Sequence, residues 1–241
     1  MKQSEGIIAP FRFKHFSVNH THSSMKVGVD AVLLGAWADV RGSRGLDLGC
    51  GCGVIALMCA QRNPAAEILA VDLHDASAEE AAFNFSSSPW SARLEARAMD
   101  ANALRGIREM DGSFDFIVSN PPYFLSGVRE PESPREKARH QASLSPQVAV
   151  SLAEVLLKEG GTLSLVMPYE GWQEQTRSEC LVPLRICTVA NRPGKTPKRI
   201  LVSLVKGNGS IQECEQLFIR TADGEYSKEY KTLTSAFYLA F

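Results

Sequence analysis

Residues 119–124 read Ser-Asn-Pro-Pro-Tyr-Phe and follow directly on the apolar run at residues 114–118. An apolar, β-branched run predicts a buried strand. Two prolines cannot continue that strand, because neither has the N–H that a sheet requires. In an open α/β sheet the ligand crevice lies at the carboxyl ends of the strands. The sequence therefore predicts that an amide and an aromatic ring are presented there to a flat, hydrogen-bonding substrate.

A second candidate site is the spacing Asp-x-Gly-x-Gly-x-Gly from Asp47 to Gly53. Glycines let the backbone approach a ligand closely, and Asp72, at the end of the next apolar run, can accept both hydroxyls of a ribose. Residues 51–56 also fit G-x-G-x-x-A, the dinucleotide fingerprint. Asp47 favours S-adenosylmethionine instead, because a carboxylate there would repel a pyrophosphate and attract a cationic amine and sulfonium.

Strand-like and helix-like segments alternate along the chain. This pattern predicts βαβ units and a doubly wound, mainly parallel α/β sheet of seven strands. We expect one domain over residues 1–241, with an N-terminal lid and helix (1–40), a core (41–206) and a C-terminal strand and helix (207–241). A hairpin is expected near the end of the core, and Asp30 is expected to cap a short helix over residues 31–37.

The composition is that of a globular protein, with 241 residues, 44% hydrophobic content and a net charge of −1. The sequence contains neither a signal-peptide pattern nor a long apolar span, which predicts a cytoplasmic protein without a membrane segment. The six cysteines lack the spacing of a metal site, so we expect reduced thiols and no metal. A monomer is favoured.

Charge is distributed unevenly. Residues 6–29 and 180–212 contain no Asp or Glu but several Lys and Arg. Two acid-free basic segments predict contact with a polyanion, although ordinary solvated surface is the alternative for each. The candidate nucleic-acid contacts are Arg12, Lys14, Arg192, Lys195, Lys198 and Arg199.

The stretch from Asp47 to Gly53 resembles motif I of the Rossmann-fold methyltransferases. The resemblance implies S-adenosylmethionine as cofactor, with Asp72 binding its ribose and Asp100 its adenine amine. A helix cap before residues 101–103 is the alternative role for Asp100. The predicted cofactor-binding residues are Lys26, Asp47, Gly49, Cys50, Gly51, Gly53, Asp72, Asp100 and Asn120.

Residues 120–123, Asn-Pro-Pro-Tyr, resemble motif IV of the amino-methyltransferases. The oxygen of the Asn120 side chain and the carbonyl of Pro121 can each accept one N–H of a planar amine, which aims the nitrogen at the methyl donor. Tyr123 can stack on the substrate. The predicted catalytic residues are Asn120, Pro121, Pro122 and Tyr123. The motif also serves enzymes that methylate glutamine amides, DNA adenine or rRNA guanine, so the owner of the amine stays open at this point.

The ends of the chain narrow the choice. Residues 13–16, 25–37 and 226–239 resemble those of the bacterial tRNA1(Val) adenine-N6-methyltransferase family. The resemblance implies methylation of the adenine 3′ of the anticodon, position 37, in a valine tRNA. The alternatives are a protein-glutamine methyltransferase or another nucleic-acid amino-methyltransferase. An anticodon-loop adenine suits this chemistry, because a loop base can be splayed out without melting a duplex.

Overall fold

Buried apolar runs form a large central sheet in the computed structural model, which describes residues 9–23, 26–122, 144–209, 211 and 213–241. The strands are β1 (Phe11–Arg12), β2 (Ser17–Val18), β3 (Arg44–Leu48), β4 (Glu67–Asp72), β5 (Leu94–Ala98), β6 (Phe114–Ser119), β7 (Leu157–Pro168), β8 (Leu181–Ala190), β9 (Arg199–Lys206) and β10 (Glu213–Phe218). The α-helices are α1 (Val29–Trp37), α2 (Val54–Arg62), α3 (Asp75–Ser86), α4 (Pro146–Leu156), α5 (Trp172–Gln175) and α6 (Lys228–Thr234).

The strands of the large sheet lie in the order β10-β8-β9-β7-β6-β3-β4-β5. Its pairings are parallel except those of β9, which runs antiparallel to both β7 and β8. This order confirms the predicted doubly wound, mainly parallel architecture with a late hairpin. In the described part of the chain the sheet has eight strands rather than the predicted seven.

The additional strand is β10, which adds to the edge of the sheet beside β8. Most of its side chains are exposed, so it lacks the apolar run that marks the other strands. Ion pairs from Arg185 to Glu213 and Glu215, at 2.7 Å each, join it to β8. Residues 213–218 were assigned to the C-terminal strand and helix, and they extend the core sheet instead.

The ligand crevice of a doubly wound sheet lies where the strand order reverses. Here that point is between β3 and β6, because β4 and β5 continue on one side of β3 while β7 follows β6 on the other. Leu48 at the end of β3 is in register with Ser119 at the end of β6. Asp47 and Asn120 are thereby brought to the same end of neighbouring strands.

Helices cover both faces of the sheet because strand side chains alternate between them. On one face, Phe116 and Val118 pack in a core that includes the apolar residues of α1 and α2. On the other face, Leu46 and Ile117 pack with those of α4. Close-packed side chains on both faces therefore hold the strand ends, which limits the movement of the polar groups at the carboxyl edge.

The two ends of the described chain pack together. Strands β1 and β2 pair as an antiparallel hairpin. The rings of Phe11 and Phe13 lie 6.2 Å and 6.0 Å from that of Tyr238. Tyr230 of α6 is buried, as expected for a packed terminal helix. Within the described residues, none of the helices has the length and apolarity needed to cross a membrane.

Candidate active site

A glycine-rich loop links β3 to α2 at the carboxyl edge of the sheet. Gly49, Gly51 and Gly53 have φ angles of 71°, 54° and 79°, a left-handed conformation that other residues rarely adopt. The N–H groups of Gly49 and Cys50 both donate to the Val71 carbonyl, at 2.9 Å and 3.0 Å. The loop is therefore fixed to the end of β4, as the predicted strand, loop and helix require.

Asp47 lies buried under this loop. Its Oδ2 accepts a hydrogen bond from the N–H of Ala56 at 3.1 Å. Its Oδ1 is buried without a hydrogen-bond partner among the described residues. Burial raises the pKa of Asp47 to about 7, with the Ala56 N–H opposing the shift and the charge of Asp72 adding to it. A cationic ligand amine would satisfy the second oxygen, so this carboxyl fits the ammonium group of S-adenosylmethionine.

Asp72 ends β4 beside the loop. Its Oδ2 accepts from the N–H of Gly51 at 2.9 Å, and its Oδ1 accepts from the N–H of His74 at 2.9 Å. Each carboxylate oxygen can accept more than one hydrogen bond, so these contacts leave capacity for ribose hydroxyls. Asp72 thus has a structural role, holding the glycine loop, in addition to the predicted one.

Asp100 lies one strand further out, after β5. Its Oδ1 accepts from the backbone N–H of Asn102 at 2.9 Å and from the side-chain amide of the same residue at 3.0 Å. It is the N-cap of a 3-10 turn over residues 101–106, the alternative role that the sequence allowed. The N–H of Met99 donates to the Asp72 carbonyl at 2.8 Å, which keeps Asp100 next to Asp72 at the sheet edge. Adenine binding by Asp100 stays a prediction.

Asn120 and Pro121 leave the sheet directly after β6, and both are buried. The hydroxyl of Ser119 donates to the Leu48 carbonyl at 2.8 Å and holds the end of β6 against that of β3. Pro122 is exposed. Tyr123, the predicted stacking residue, lies outside the described residues.

A cavity of about 300 Å³ unites these elements. Its walls are the glycine loop, the start of α2, the segment that leads into α1, Asn120 and Arg199. The lining residues are Lys26, Gly28, Val29, Asp30, Ala31, Gly49, Cys50, Gly51, Cys52, Val54, Ile55, Asn120 and Arg199. Five of the nine residues predicted to bind the cofactor line this cavity, including Lys26 from the N-terminal segment. The other four, Asp47, Gly53, Asp72 and Asp100, are not among its lining residues.

A larger hollow of about 600 Å³ lies at the opposite edge of the sheet. It is lined by Asp39 and Arg41, which precede β3, and by Arg62 and Asn63 at the end of α2. Its cations have protein partners: Arg41 pairs with Asp39, and Arg62 donates to the carbonyl of Ala38 at 2.8 Å. We therefore assign the chemistry to the smaller cavity, where the strand ends and the glycines converge.

The cysteines of the glycine loop are packing residues. Cys50 and Cys52 are buried in the cavity wall, and Cys59 is buried behind them in α2. Burial, reinforced by Asp47 and Asp72, raises the pKa of the Cys50 thiol. Burial also raises the pKa of Cys52 to about 11. Both thiols are thus neutral at physiological pH and poor nucleophiles.

Arg199 lies in the wall of the cavity. It was expected on the RNA-contacting surface, but it lines the cavity and forms an ion pair with Asp30. Asp30 in turn is not the cap of α1, because the N-cap position is Gly28 and no side chain caps it. Burial raises the pKa of Asp30, and the charge of Arg199 opposes this shift. The pair joins the first turn of α1 to the start of β9, and both residues line the cavity.

The remaining basic candidates separate into two groups. Arg192, Lys195 and Lys198 are exposed in the turn between β8 and β9. This turn lies at the carboxyl edge, because Arg199 is in register with Pro168 at the end of β7. Lys14 instead donates to the backbone oxygens of Ser235 and Phe241, at 2.6 Å and 2.5 Å. Arg12 is exposed on the same hairpin.

Neither Lys14 nor Arg12 is among the residues that line the cavity. Ala236, beside the Lys14 partner Ser235, accepts a hydrogen bond at 2.9 Å from Gln61, which lies near the end of α2 remote from the glycine loop. The amine of Lys14 therefore joins the two ends of the described chain. We do not include it among the proposed phosphate contacts. The sequence did not predict a role near the cavity for Glu80 and Asn84 of α3, because nothing distinguishes them from ordinary polar positions of a helix.

Two glycines of the loop allow a matched test. A Cβ at Gly51 would meet nothing within 4 Å, whereas at Gly53 it would lie 2.5 Å from the ring of Phe85. We expect Gly51→Ala to cost about 1 kcal/mol of folding stability, from backbone strain alone, and Gly53→Ala about 2–4 kcal/mol. Urea unfolding measures both. Cofactor affinity should fall more in the Gly51→Ala protein, because Gly51 lines the cavity and Gly53 is not among its lining residues. Unchanged affinity there would contradict the assignment.

The family model described as Methyltransferase small domain matches residues 20–176 of this chain. The tRNA1(Val) (adenine(37)-N6)-methyltransferase of Bacteroides thetaiotaomicron is 41% identical over 235 residues, which cover 95% of this chain and 97% of the relative. The protein of the same name from Haemophilus influenzae is 38% identical over 235 residues, covering 96% of this chain and 99% of the relative.

Solved structures show the same fold. A predicted O-methyltransferase from Agrobacterium tumefaciens superposes with a TM-score of 0.70 at 24% identity, over 86% of this chain and 96% of that one. The 16S rRNA N2 G1207 methyltransferase of Thermus thermophilus, solved with S-adenosylmethionine and guanosine, has a TM-score of 0.58 at 22% identity, over 83% of this chain and 50% of that one. Sequence, fold and cavity agree: the chain is an S-adenosylmethionine-dependent methyltransferase that belongs to the tRNA1(Val) adenine-N6-methyltransferase family.

Proposed function

We propose that this enzyme methylates the exocyclic amine of the adenine at position 37, 3′ of the anticodon, in a valine tRNA. The observation that carries the proposal is the position of Asn120, buried at the end of β6 and lining the same cavity as the glycine loop. An amine held by Asn120 would face a methyl donor held by that loop. The names of the full-length relatives support adenine 37 as the owner of this amine.

Bound S-adenosylmethionine supplies an electrophilic methyl group. Asp47 would hold its ammonium group, Asp72 its ribose hydroxyls and Asp100 its adenine amine. The Asn120 side-chain oxygen and the Pro121 carbonyl would each accept one N–H of the substrate, turning its nitrogen lone pair toward the donor. Tyr123 would stack on the base. No strong general base is needed, because the amine becomes acidic once it is methylated.

The surface near the cavity suits an RNA loop. Arg192, Lys195 and Lys198 lie at the carboxyl edge, where they would contact phosphates flanking a splayed-out adenine. Arg199 pairs with Asp30 in the cavity wall, so we do not include it among these phosphate contacts. We expect the enzyme to act in the cytoplasm, where its tRNA substrate is found, as a single-domain monomer.

The acceptor class is decided by a transfer assay with labelled S-adenosylmethionine. Unmodified valine tRNA should accept the label, and RNase treatment of the substrate should abolish the reaction. If a glutamine in a protein loop were labelled instead, and RNase did not affect the reaction, the enzyme would be a protein-glutamine methyltransferase and the proposal would be wrong. Preferential labelling of rRNA or DNA would likewise overturn the choice of tRNA.

The exposed lysines predict a specific salt dependence. Changing Lys195 and Lys198 together to Ala should weaken tRNA binding and lower the slope of log K against log salt by about 1–2, because each phosphate contact releases counterions. Filter binding at several salt concentrations measures the slope. The matched control changes Arg41 and Arg108, exposed arginines that precede β3 and β6 at the opposite edge. An equal change of the salt slope in the control would show that the RNA does not specifically contact the turn between β8 and β9.

A further inference from the structure

Two polar side chains of α3 are buried near the cavity without lining it. Glu80 is 6% exposed and Asn84 is 2% exposed. They lie four residues apart and therefore share one face of the helix. A buried carboxylate and a buried amide require several hydrogen-bond partners, and the partners that they have identify their role.

Glu80 binds the backbone of the N-terminal segment. Its Oε1 accepts from the N–H groups of Thr21 and His22, at 2.7 Å and 3.0 Å, and its Oε2 accepts from that of Ser23 at 2.8 Å. Burial by itself would raise the pKa of Glu80, but the hydrogen bonds from His22, Ser23 and Thr21 outweigh it and lower the pKa. The ionised carboxylate therefore holds three consecutive N–H groups at physiological pH.

Asn84 connects the same segment to the glycine loop. Its side chain exchanges two hydrogen bonds with the backbone of Asn19, each at 2.8 Å. Its amide also donates to the carbonyl of Cys52 at 2.9 Å. One amide thus fixes the N-terminal segment and the cofactor loop relative to each other.

A hydrogen bond joins the residues held by Glu80 and Asn84 to the cavity wall. His20 is buried, and its Nδ1 accepts from the N–H of Val27 at 3.1 Å. Lys26 and Gly28, on either side of Val27, line the cavity opposite the glycine loop. Glu80 and Asn84 are therefore linked to the cavity wall through the hydrogen bond between Val27 and His20.

We propose that Glu80 and Asn84 are positioning residues of the cofactor site, which hold residues 19–23 and, through His20 and Val27, the part of the cavity wall formed by Lys26 and Gly28. A wall that is already ordered spares cofactor binding the conformational entropy of ordering it. This inference depends on the methyl donor binding in this cavity, and it holds whichever molecule carries the acceptor amine.

The test compares Glu80→Ala with Glu79→Ala, which removes an exposed carboxylate from the neighbouring position of the same helix. Calorimetry should show a Kd for S-adenosylmethionine that is about tenfold higher in Glu80→Ala, because several hydrogen bonds to a charged group are lost. The Glu79→Ala protein should match the wild type. The KM for the cofactor should rise in Glu80→Ala, while kcat at saturating cofactor stays within about twofold of the wild type.

Hydrogen exchange of the cofactor-free proteins provides a readout that does not depend on activity. Amides of residues 19–23 and 26–28 should exchange faster in Glu80→Ala, while those of α4 keep their protection. Glu80→Gln preserves the size of the side chain and one acceptor oxygen, so it should fold and show an intermediate rise in both exchange and Kd. Unchanged Kd and unchanged exchange at residues 19–23 and 26–28 in either variant would overturn the proposal. A rise in exchange throughout the chain would also do so, because it would show a general structural role.

Discussion

Replacing Asn120 by Ala is expected to lower kcat by about 10²–10³-fold, the range observed when one preorganised polar contact to a reacting group is removed. The substrate amine would lose an acceptor, and its nitrogen would no longer be held toward the methyl donor. The Kd for S-adenosylmethionine should change by less than about threefold, because the glycine loop, Asp47 and Asp72 remain in place. Single-turnover kinetics and calorimetry measure the two quantities separately.

A suitable control is Asn208→Ala, which removes an exposed amide just beyond the end of β9, at the opposite edge of the sheet. This variant should retain wild-type turnover. If Asn120→Ala instead lowered cofactor affinity and turnover by similar factors, Asn120 would be a residue that shapes the cofactor pocket, and the proposed alignment of the amine would be wrong.

Replacing Asp47 by Asn is expected to weaken S-adenosylmethionine binding by about a hundredfold, because the cofactor ammonium would lose a buried charged partner. The free protein should respond in the opposite direction. The pKa of Asp47 is raised to about 7 in the fold, so its neutral form favours folding and stability declines as pH rises toward that value. Asp47→Asn should therefore raise the free energy of unfolding at pH 8 by about 2–4 kcal/mol.

The same pKa predicts a pH-dependent affinity. Below about pH 7 the carboxyl of Asp47 is protonated in the free enzyme and must lose its proton to pair with an ammonium. The Kd for S-adenosylmethionine should therefore fall as the pH rises from about 5.5 to about 7, and this slope should disappear in Asp47→Asn. A slope that persisted in the variant would assign the titration to another group.

Much of this architecture was predictable because its determinants are local. The apolar run before Asn120, the glycines after Asp47 and the acidic residue that ends β4 each define a strand end within a few residues. A strand was expected between residues 207 and 241, but the place of β10 in the core sheet was missed, because its side chains are mostly polar and its contacts depend on Arg185 of a distant strand. The hydrophobic periodicity of a segment does not reveal which strand it lies beside when the favourable contacts come from side chains of that other strand.

The site was predictable to a similar degree. The glycine loop and Asn120 line one cavity, and Asp47 lies buried under that loop. Arg199 and Lys14 have partners that come from distant parts of the chain. Arg199 finds Asp30, and Lys14 finds the backbone of residues 235 and 241. The roles of Glu80 and Asn84 were missed for the same reason, since a buried helix carboxylate and amide reveal their function only through the backbone that they hold.

The most direct test of the proposed activity is mass mapping of valine tRNA after methylation by the purified enzyme. Nuclease fragments should contain one added methyl group, on N6 of the adenine 3′ of the anticodon. Fragments from a reaction with Asn120→Ala should contain almost none. A methyl group on another nucleotide, or on the ring rather than the exocyclic amine of that adenine, would contradict the account.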